Sequence, residues 1–320
     1  MKIKALVLGS SRGIGNAVVR NLSSRGIETV AGMRNMNDKE KYFPGGLEGV
    51  TFSPVEASDT HQIAAALDGC THLFYCVNVP YPEWYTKLEA LLKASVDACI
   101  ASGVKLVFPG NVYVYGKPQF NPVTEGHPHA AQTRKGKIRF RMEEFLFQSH
   151  KKRGLNYTVI RMPDFYGPYV INGVTEKLFT SALTGKKMQW YGNLKTPYEM
   201  IFIEDGAQAM VDAGLAGHTN GFSLNVPGYA ETTAKELLKE ISKQGGRKSG
   251  YTTISNSFLI SMAGLFDKMA YEFGEMFYLR KEKLILSGEL YRYMMGSLPA
   301  TPYETGIAKT LAWAKSFYRL

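Results

Sequence analysis

The stretch Ile3-Lys4-Ala5-Leu6-Val7-Leu8-Gly9-Ser10-Ser11-Arg12-Gly13-Ile14-Gly15 decides how the chain folds. Its first six residues are mostly apolar and read as a strand buried on both faces. Three glycines follow, spaced G-x-x-x-G-x-G, and lead into a helix candidate at Gly13–Ser24. A tight turn alone needs only one or two glycines. Three at fixed offsets mean that something approaches the backbone where a Cβ would stand in the way. A strand, such a turn and a helix form a dinucleotide-binding arrangement, in which Gly9, Ser10, Ser11, Arg12, Gly13, Ile14 and Gly15 surround a pyrophosphate at the positive end of the helix dipole.

Outward from this unit the pattern repeats. Ile27–Met33, Val50–Val55, His72–Val77, Lys105–Pro109 and Tyr157–Arg161 read as strands, short and bounded by Gly, Asn or Pro. Thr60–Leu67, Glu83–Ser102 and Arg134–Lys152 read as helices between them. This alternation predicts an α/β fold, a doubly wound parallel-sheet Rossmann fold. Beyond about residue 165 the rhythm loosens, and helices Thr232–Gln244 and Thr305–Phe317 stand among irregular segments. Residues 1–165 therefore read as a dinucleotide-binding domain, with 200–226 returning to it. Residues 166–199 and 227–320 read as a smaller, partly helical C-terminal substrate region.

The second strand ends Ala31-Gly32-Met33-Arg34-Asn35. NAD-binding folds place an acid there for the ribose 2′-hydroxyl. Arg34 offers a planar fork of donors suited to a 2′-phosphate, and Arg12 joins it from the glycine loop. The expected cofactor is NADP rather than NAD. The 320 residues hold 38 Lys+Arg against 28 Asp+Glu, a net charge of +10, which favours anionic partners without choosing among them. Cys70, Cys76 and Cys99 form no CxxC pair, which points to a reducing, cytoplasmic compartment. A strand begins close to Met1, so no signal peptide is expected. No apolar run reaches the ~18 residues of a membrane span. The most apolar late stretch, Phe258–Phe266, runs straight into Asp267 and Lys268.

Several segments resemble a short-chain dehydrogenase/reductase of the extended or atypical kind, similar to nucleotide-sugar epimerases and dehydratases. GSSRGIG (9–15) resembles the cofactor loop, with the glycine spacing of the classical branch. VEASD (55–59) resembles the adenine-contacting segment and places Glu56 and Ala57 there. LVFPGNVYVYG (106–116) and FIEDGAQAM (202–210) resemble two further family segments, and VIRMPDFYGP (159–168) resembles the nicotinamide wall, with Pro163 in it. The resemblance implies a catalytic Tyr with a Lys four residues later, and a Ser or Thr ending the fifth strand. In Thr133-Arg134-Lys135-Gly136-Lys137, Lys137 matches the lysine, near the ribose, and Thr133 stands where the tyrosine belongs. Asn111 stands in place of the Ser or Thr.

Threonine is far less acidic than a phenol, whose reference pKa is about 10. Asn111 can hydrogen-bond a substrate oxygen but cannot protonate it. The literal Tyr113-Val-Tyr-Gly-Lys117 is no helical pair, because Gly116 and Pro118 interrupt it. A tyrosine arriving from a loop, one of Tyr113, Tyr115 or Tyr81, is the expected proton donor. Asn78, Tyr81 and Trp84 follow the fourth strand at the edge where ligands bind, and form an expected substrate wall. Asp164, ending the sixth strand, is either an acid/base or a turn cap.

Arg134, Lys135, Lys137, Arg139 and Arg141 read as a solvated helix face rather than a nucleic-acid surface, since no binding module accompanies them. His127 and His129 have no acid or Cys at ligand spacing, so no metal is expected. The expected activity is that of an NADP-dependent oxidoreductase, or an epimerase/dehydratase-like enzyme, acting on a carbonyl/alcohol carbon of a small molecule. Nucleotide sugars are one substrate class and small carbonyl metabolites another. The alternative, prompted by the missing tyrosine, is a non-catalytic NADP-binding sensor. The resemblance also implies a homodimer built on helix pairs.

Overall fold

The protein is described by a computed structural model over residues 2–254 and 274–320. The stretch Phe258–Phe266 lies outside the described residues. Short runs of branched and aromatic residues form seven parallel strands: β1 (Lys4–Leu8), β2 (Glu28–Met33), β3 (Val50–Pro54), β4 (His72–Tyr75), β5 (Lys105–Asn111), β6 (Tyr157–Met162) and β11 (Phe222–Asn225). Their order is β3-β2-β1-β4-β5-β6-β11. The order reverses between β1 and β4, and at such a switch point a crevice opens at the C-terminal strand ends.

Helices cover both faces. α1 (Gly13–Ser24) and α7 (Ile203–Leu215) pack on one face, with Val18, Leu22, Met210 and Val211 buried against Val7, Phe74 and Ile160. α3 (Thr60–Ala66), α4 (Trp84–Ser102) and α5 (Arg134–Arg153) cover the other, where Leu88, Leu92, Ile138, Met142 and Leu146 meet Leu6, Leu73 and Phe108. α7 lies close because Gly214 has no side chain: a Cβ there would stand 2.8 Å from Val107 Cγ2. Polar capping sets several ends. Asp59 accepts from the N–H groups of His61 and Gln62 to start α3, and Thr133 accepts from Gly136 N to start α5. α4 and α5 both stop at a left-handed glycine, Gly103 and Gly154.

The remaining elements gather past the C-terminal strand ends. β8 (Met188–Tyr191) pairs with β13 (Tyr251–Ile254), and β7 (Asp164–Tyr166) pairs with β10 (Met200–Phe202). β9 (Pro197–Tyr198) pairs with β12 (Thr232–Thr233). Helices α6 (Thr175–Thr184), α8 (Ala234–Gln244) and α10 (Tyr303–Tyr318) enclose a separate core of Tyr166, Phe179, Trp190, Leu238, Ile307 and Leu311. The shorter α9 (Glu289–Met295) buries Tyr291.

A buried carboxylate ties this region to the sheet side. Glu199 accepts from Leu286 N at 2.8 Å and from Gly228 N at 3.0 Å. Burial pushes its pKa up from the usual 4.5 to about 7, against the pull of those two N–H donors. The folded state thus holds the proton over a range where the unfolded chain releases it. Stability from this group is greatest below pH 4.5 and declines as pH rises through 7, by up to about 3 kcal/mol. Glu199→Gln is expected to flatten that decline in urea unfolding curves taken across the window. An unchanged slope would place its origin in another group.

Candidate active site

The loop between β1 and α1 docks on the end of β2. The Gly9 and Ser10 N–H groups both donate to Gly32 O at 3.1 Å, and Ser10 Oγ donates to the same oxygen at 3.0 Å. Gly9 has φ +84°, and a Cβ there would stand 2.8 Å from the Cys76 carbonyl. A Cβ on Gly15 would lie far inside the contact distance of Gly9 O. The glycines thus let three stretches of backbone meet at the switch point. α1 begins with no side-chain cap from Arg12 and no acid in its first turn. Gly13 N donates to Tyr169 O at 2.9 Å. A positive helix end, free of side-chain caps and rimmed by half-buried Ser11 and Ile14, fits a pyrophosphate.

Ser10 corrects one expectation. It is fully buried, and its hydroxyl fastens the loop rather than facing the cleft. Arg12 and Arg34 are exposed, and neither pairs with a carboxylate among the described residues. The Arg12 guanidinium lies 6.0 Å from the Tyr42 ring centroid. Glu56 and Ala57 sit half-buried just past β3, with Glu56 accepting from Ser58 Oγ at 3.3 Å. Pro163 is buried between β6 and β7.

A second set of groups lies past β4 and β5. Asn111 ends β5 and accepts from Tyr113 N at 3.1 Å, which starts a short turn of 3-10 helix at Val112–Tyr115. That turn brings the Tyr113 hydroxyl to 2.9 Å from the Tyr81 hydroxyl. Burial raises the pKa of both phenols. For Tyr113 the neighbouring Tyr81 and the Asp164 charge add to the rise. Both therefore stay protonated at neutral pH. Asp164 accepts from Tyr198 OH at 2.8 Å and from Arg280 Nη2 at 2.7 Å. The charges of Asp164 and Arg280 are felt at both phenols, so the five groups form one cluster.

The face that α5 turns to this cluster departs from expectation. Lys137 is exposed, on the side of the helix away from the sheet. Lys135 and Arg139, four residues apart, point inward. Gly136 fixes this register, because a Cβ there would stand 2.8 Å from Tyr113 O. Lys135 has no exposed side-chain surface; Nζ donates to Glu275 Oε2 at 2.7 Å and Tyr85 OH at 3.2 Å, 5.1 Å from the Tyr81 ring centroid. Arg139 donates through Nη2 to Pro109 O and lies 4.8 Å from the Phe108 ring centroid. The inward pair is therefore Lys135–Arg139, not Thr133–Lys137. Thr133 caps the helix.

Other expected residues take structural positions. Tyr115 is fully buried; its OH donates to Asn225 Oδ1 at 2.7 Å and accepts from Arg161 Nη1 at 2.9 Å. It faces α5 and β11 rather than the cleft. Trp84 is buried in the core with Nε1 donating to Val79 O at 2.9 Å, although its edge still touches Tyr81. Asn78 is exposed just past β4. His127 is buried and accepts from Gln119 N at 2.9 Å, and no cluster of metal ligands occurs among the described residues. Of the basic run on α5, Arg134, Lys137 and Arg141 are exposed while Lys135 and Arg139 are buried, so it forms no continuous cationic face. No described helix is long and apolar enough to cross a membrane.

Sequence reasoning missed Lys135, Arg139, Tyr198 and Arg280. The i, i+4 spacing of Lys135, Arg139 and Glu143, alongside the apolar stripe Ile138, Met142 and Leu146, held the signal for the first two. Nothing local marked Tyr198 or Arg280, which come from short elements far along the chain, β9 and a 3-10 turn at Phe277–Arg280.

Comparison with known proteins agrees with the fold. The UDP-N-acetyl-alpha-D-glucosaminuronate decarboxylase of Bacillus cytotoxicus is 23% identical, over 98% of each chain. The UDP-glucose 4-epimerase of Thermotoga maritima, solved with UDP-glucose, superposes with a TM-score of 0.80 at 17% identity, over 99% of this chain and 100% of that one. The Thermus thermophilus UDP-glucose 4-epimerase, in complex with NAD, gives 0.77 at 20% identity, over 98% and 99%. The sequence profile of the NAD dependent epimerase/dehydratase family matches residues 5–222, and the chain belongs to that family.

Proposed function

We propose that this protein binds NADP and catalyses hydride exchange at a carbonyl/alcohol carbon of a small molecule, with Tyr113 as the proton donor. The 2.9 Å contact between the Tyr81 and Tyr113 hydroxyls carries this reading, because it places two protonated phenols past the ends of β4 and β5. The nicotinamide supplies or accepts the hydride when bound. In the reducing direction Tyr113 gives its proton to the substrate oxygen as the carbon takes the hydride. Tyr81 then passes its own proton to Tyr113. The Arg139 guanidinium, whose charge reaches both phenols, offsets part of the burial cost of the phenolate left behind. Asn111 holds the turn that presents Tyr113. Relatives with UDP-sugars in their names make nucleotide sugars one substrate class, and small carbonyl metabolites are the other.

Arg12 and Arg34 support the preference for NADP, as exposed guanidinium groups beside the β2 end without acid partners among the described residues. Hydrogen bonds to a charged partner contribute about 1.5–3 kcal/mol, so Arg34→Asp is expected to weaken NADPH binding roughly 10- to 100-fold and to shift preference toward NADH. Nucleotide fluorescence titration reads this directly. An unchanged ratio would move the 2′-phosphate elsewhere. Turnover is tested by nicotinamide absorbance across a panel of carbonyl compounds and nucleotide sugars. Tight NADPH binding with no turnover on any of them would favour a cofactor sensor instead.

A further inference from the structure

Arg280 is the cation that the second cluster pairs with Asp164. Its side chain is 11% exposed, and its guanidinium carbon lies 4.6 Å from the Trp190 ring centroid and 4.4 Å from that of Tyr198. A nearly buried guanidinium beside groups expected to meet substrate would ordinarily take an anion. Here Asp164 Oδ2 already accepts from Nη2 at 2.7 Å, and Tyr198 OH donates to the same oxygen at 2.8 Å. The second inward cation, Lys135, is likewise matched by Glu275 at 2.7 Å. Arg139, the third, has Nη2 directed at the Pro109 carbonyl.

We propose that Asp164 is a specificity-determining residue, which closes the Arg280 site to phosphates and reserves the pocket for an uncharged carbonyl or alcohol substrate. A diphosphate placed on this guanidinium would lie beside a carboxylate sharing the same donors, and like charges in a partly desolvated site repel strongly. Arg280 Nη1 is buried and has no hydrogen-bond partner among the described residues. It is the N–H left over for the neutral oxygen of a substrate. Trp190 and Tyr198 supply flat apolar walls beside it. This choice between the two substrate classes rests on the reading of the Tyr81–Tyr113 pair as the proton donors at the substrate site.

The test is calorimetric titration of UDP, the nucleoside diphosphate in the relatives' names, into wild type and Asp164→Asn, each saturated with NADP so that the cofactor cleft is filled. The NADP step reports separately: its failure would overturn the cofactor reading and leave Asp164 untouched. Wild type is expected to show no UDP binding at millimolar concentration. Asp164→Asn is expected to bind UDP at least an order of magnitude more tightly, since the guanidinium is then unopposed. Micromolar UDP binding by wild type would overturn the proposal whatever the variant does. A folded Asp164→Asn protein with no gain would overturn it equally. Should that variant not fold, Asp164→Ser is read in the same way.

Discussion

Tyr113→Phe is expected to lower turnover about 100- to 10,000-fold while leaving NADPH affinity unchanged. The phenyl ring keeps its packing against Trp84, so only the hydroxyl is lost. That hydroxyl is the group that Asn111 and the 3-10 turn hold 2.9 Å from Tyr81. Lys137→Ala, by contrast, is expected to turn over like wild type, because its side chain lies on the exposed face of α5. Steady-state rates with any substrate found in the panel separate the two. Equal rates for wild type and Tyr113→Phe would move the proton donor elsewhere, and a large loss in Lys137→Ala would restore the register implied by family resemblance.

The second large effect concerns stability. Arg161 on β6 donates to Glu143 Oε2 from Nε at 2.9 Å and from Nη2 at 2.7 Å. The two side chains are 4% and 5% exposed. Burial opposes the arginine's charge, but the Glu143 carboxylate and the Tyr115 hydroxyl outweigh it and raise its pKa. Glu143→Ala leaves that guanidinium buried without a counter-charge and is expected to cost about 3–5 kcal/mol, read as a lower urea midpoint. A loss below about 1 kcal/mol would mean that the pair behaves like a surface ion pair.

The parallel sheet was legible because its strands are short apolar runs and its helices carry their own stops. Gly13–Ser24 is found at the residues read from the sequence, and β1 through β6 fall within a residue or two of expectation. The glycine loop was legible because close backbone approach leaves a local mark. The register of α5 was not. Matching Lys137 by its distance from Thr133 ignored which face the helix buries, and Gly136 against Tyr113 O decides that face through a contact between distant segments. Tyr115 was misplaced for a related reason. Adjacent to Tyr113 in the same turn, Val114 and Tyr115 point to the core while Tyr113 reaches Tyr81, and sequence proximity cannot tell them apart. The Arg280–Asp164 contact joins residues 116 positions apart, beyond any local pattern.

Gly136 and Glu143 anchor α5 at two depths, one by close approach and one by charge. Between and beside these bolts, positions 135 and 139 are held facing inward. The aim of the two cations is thus set by contacts that neither of them makes.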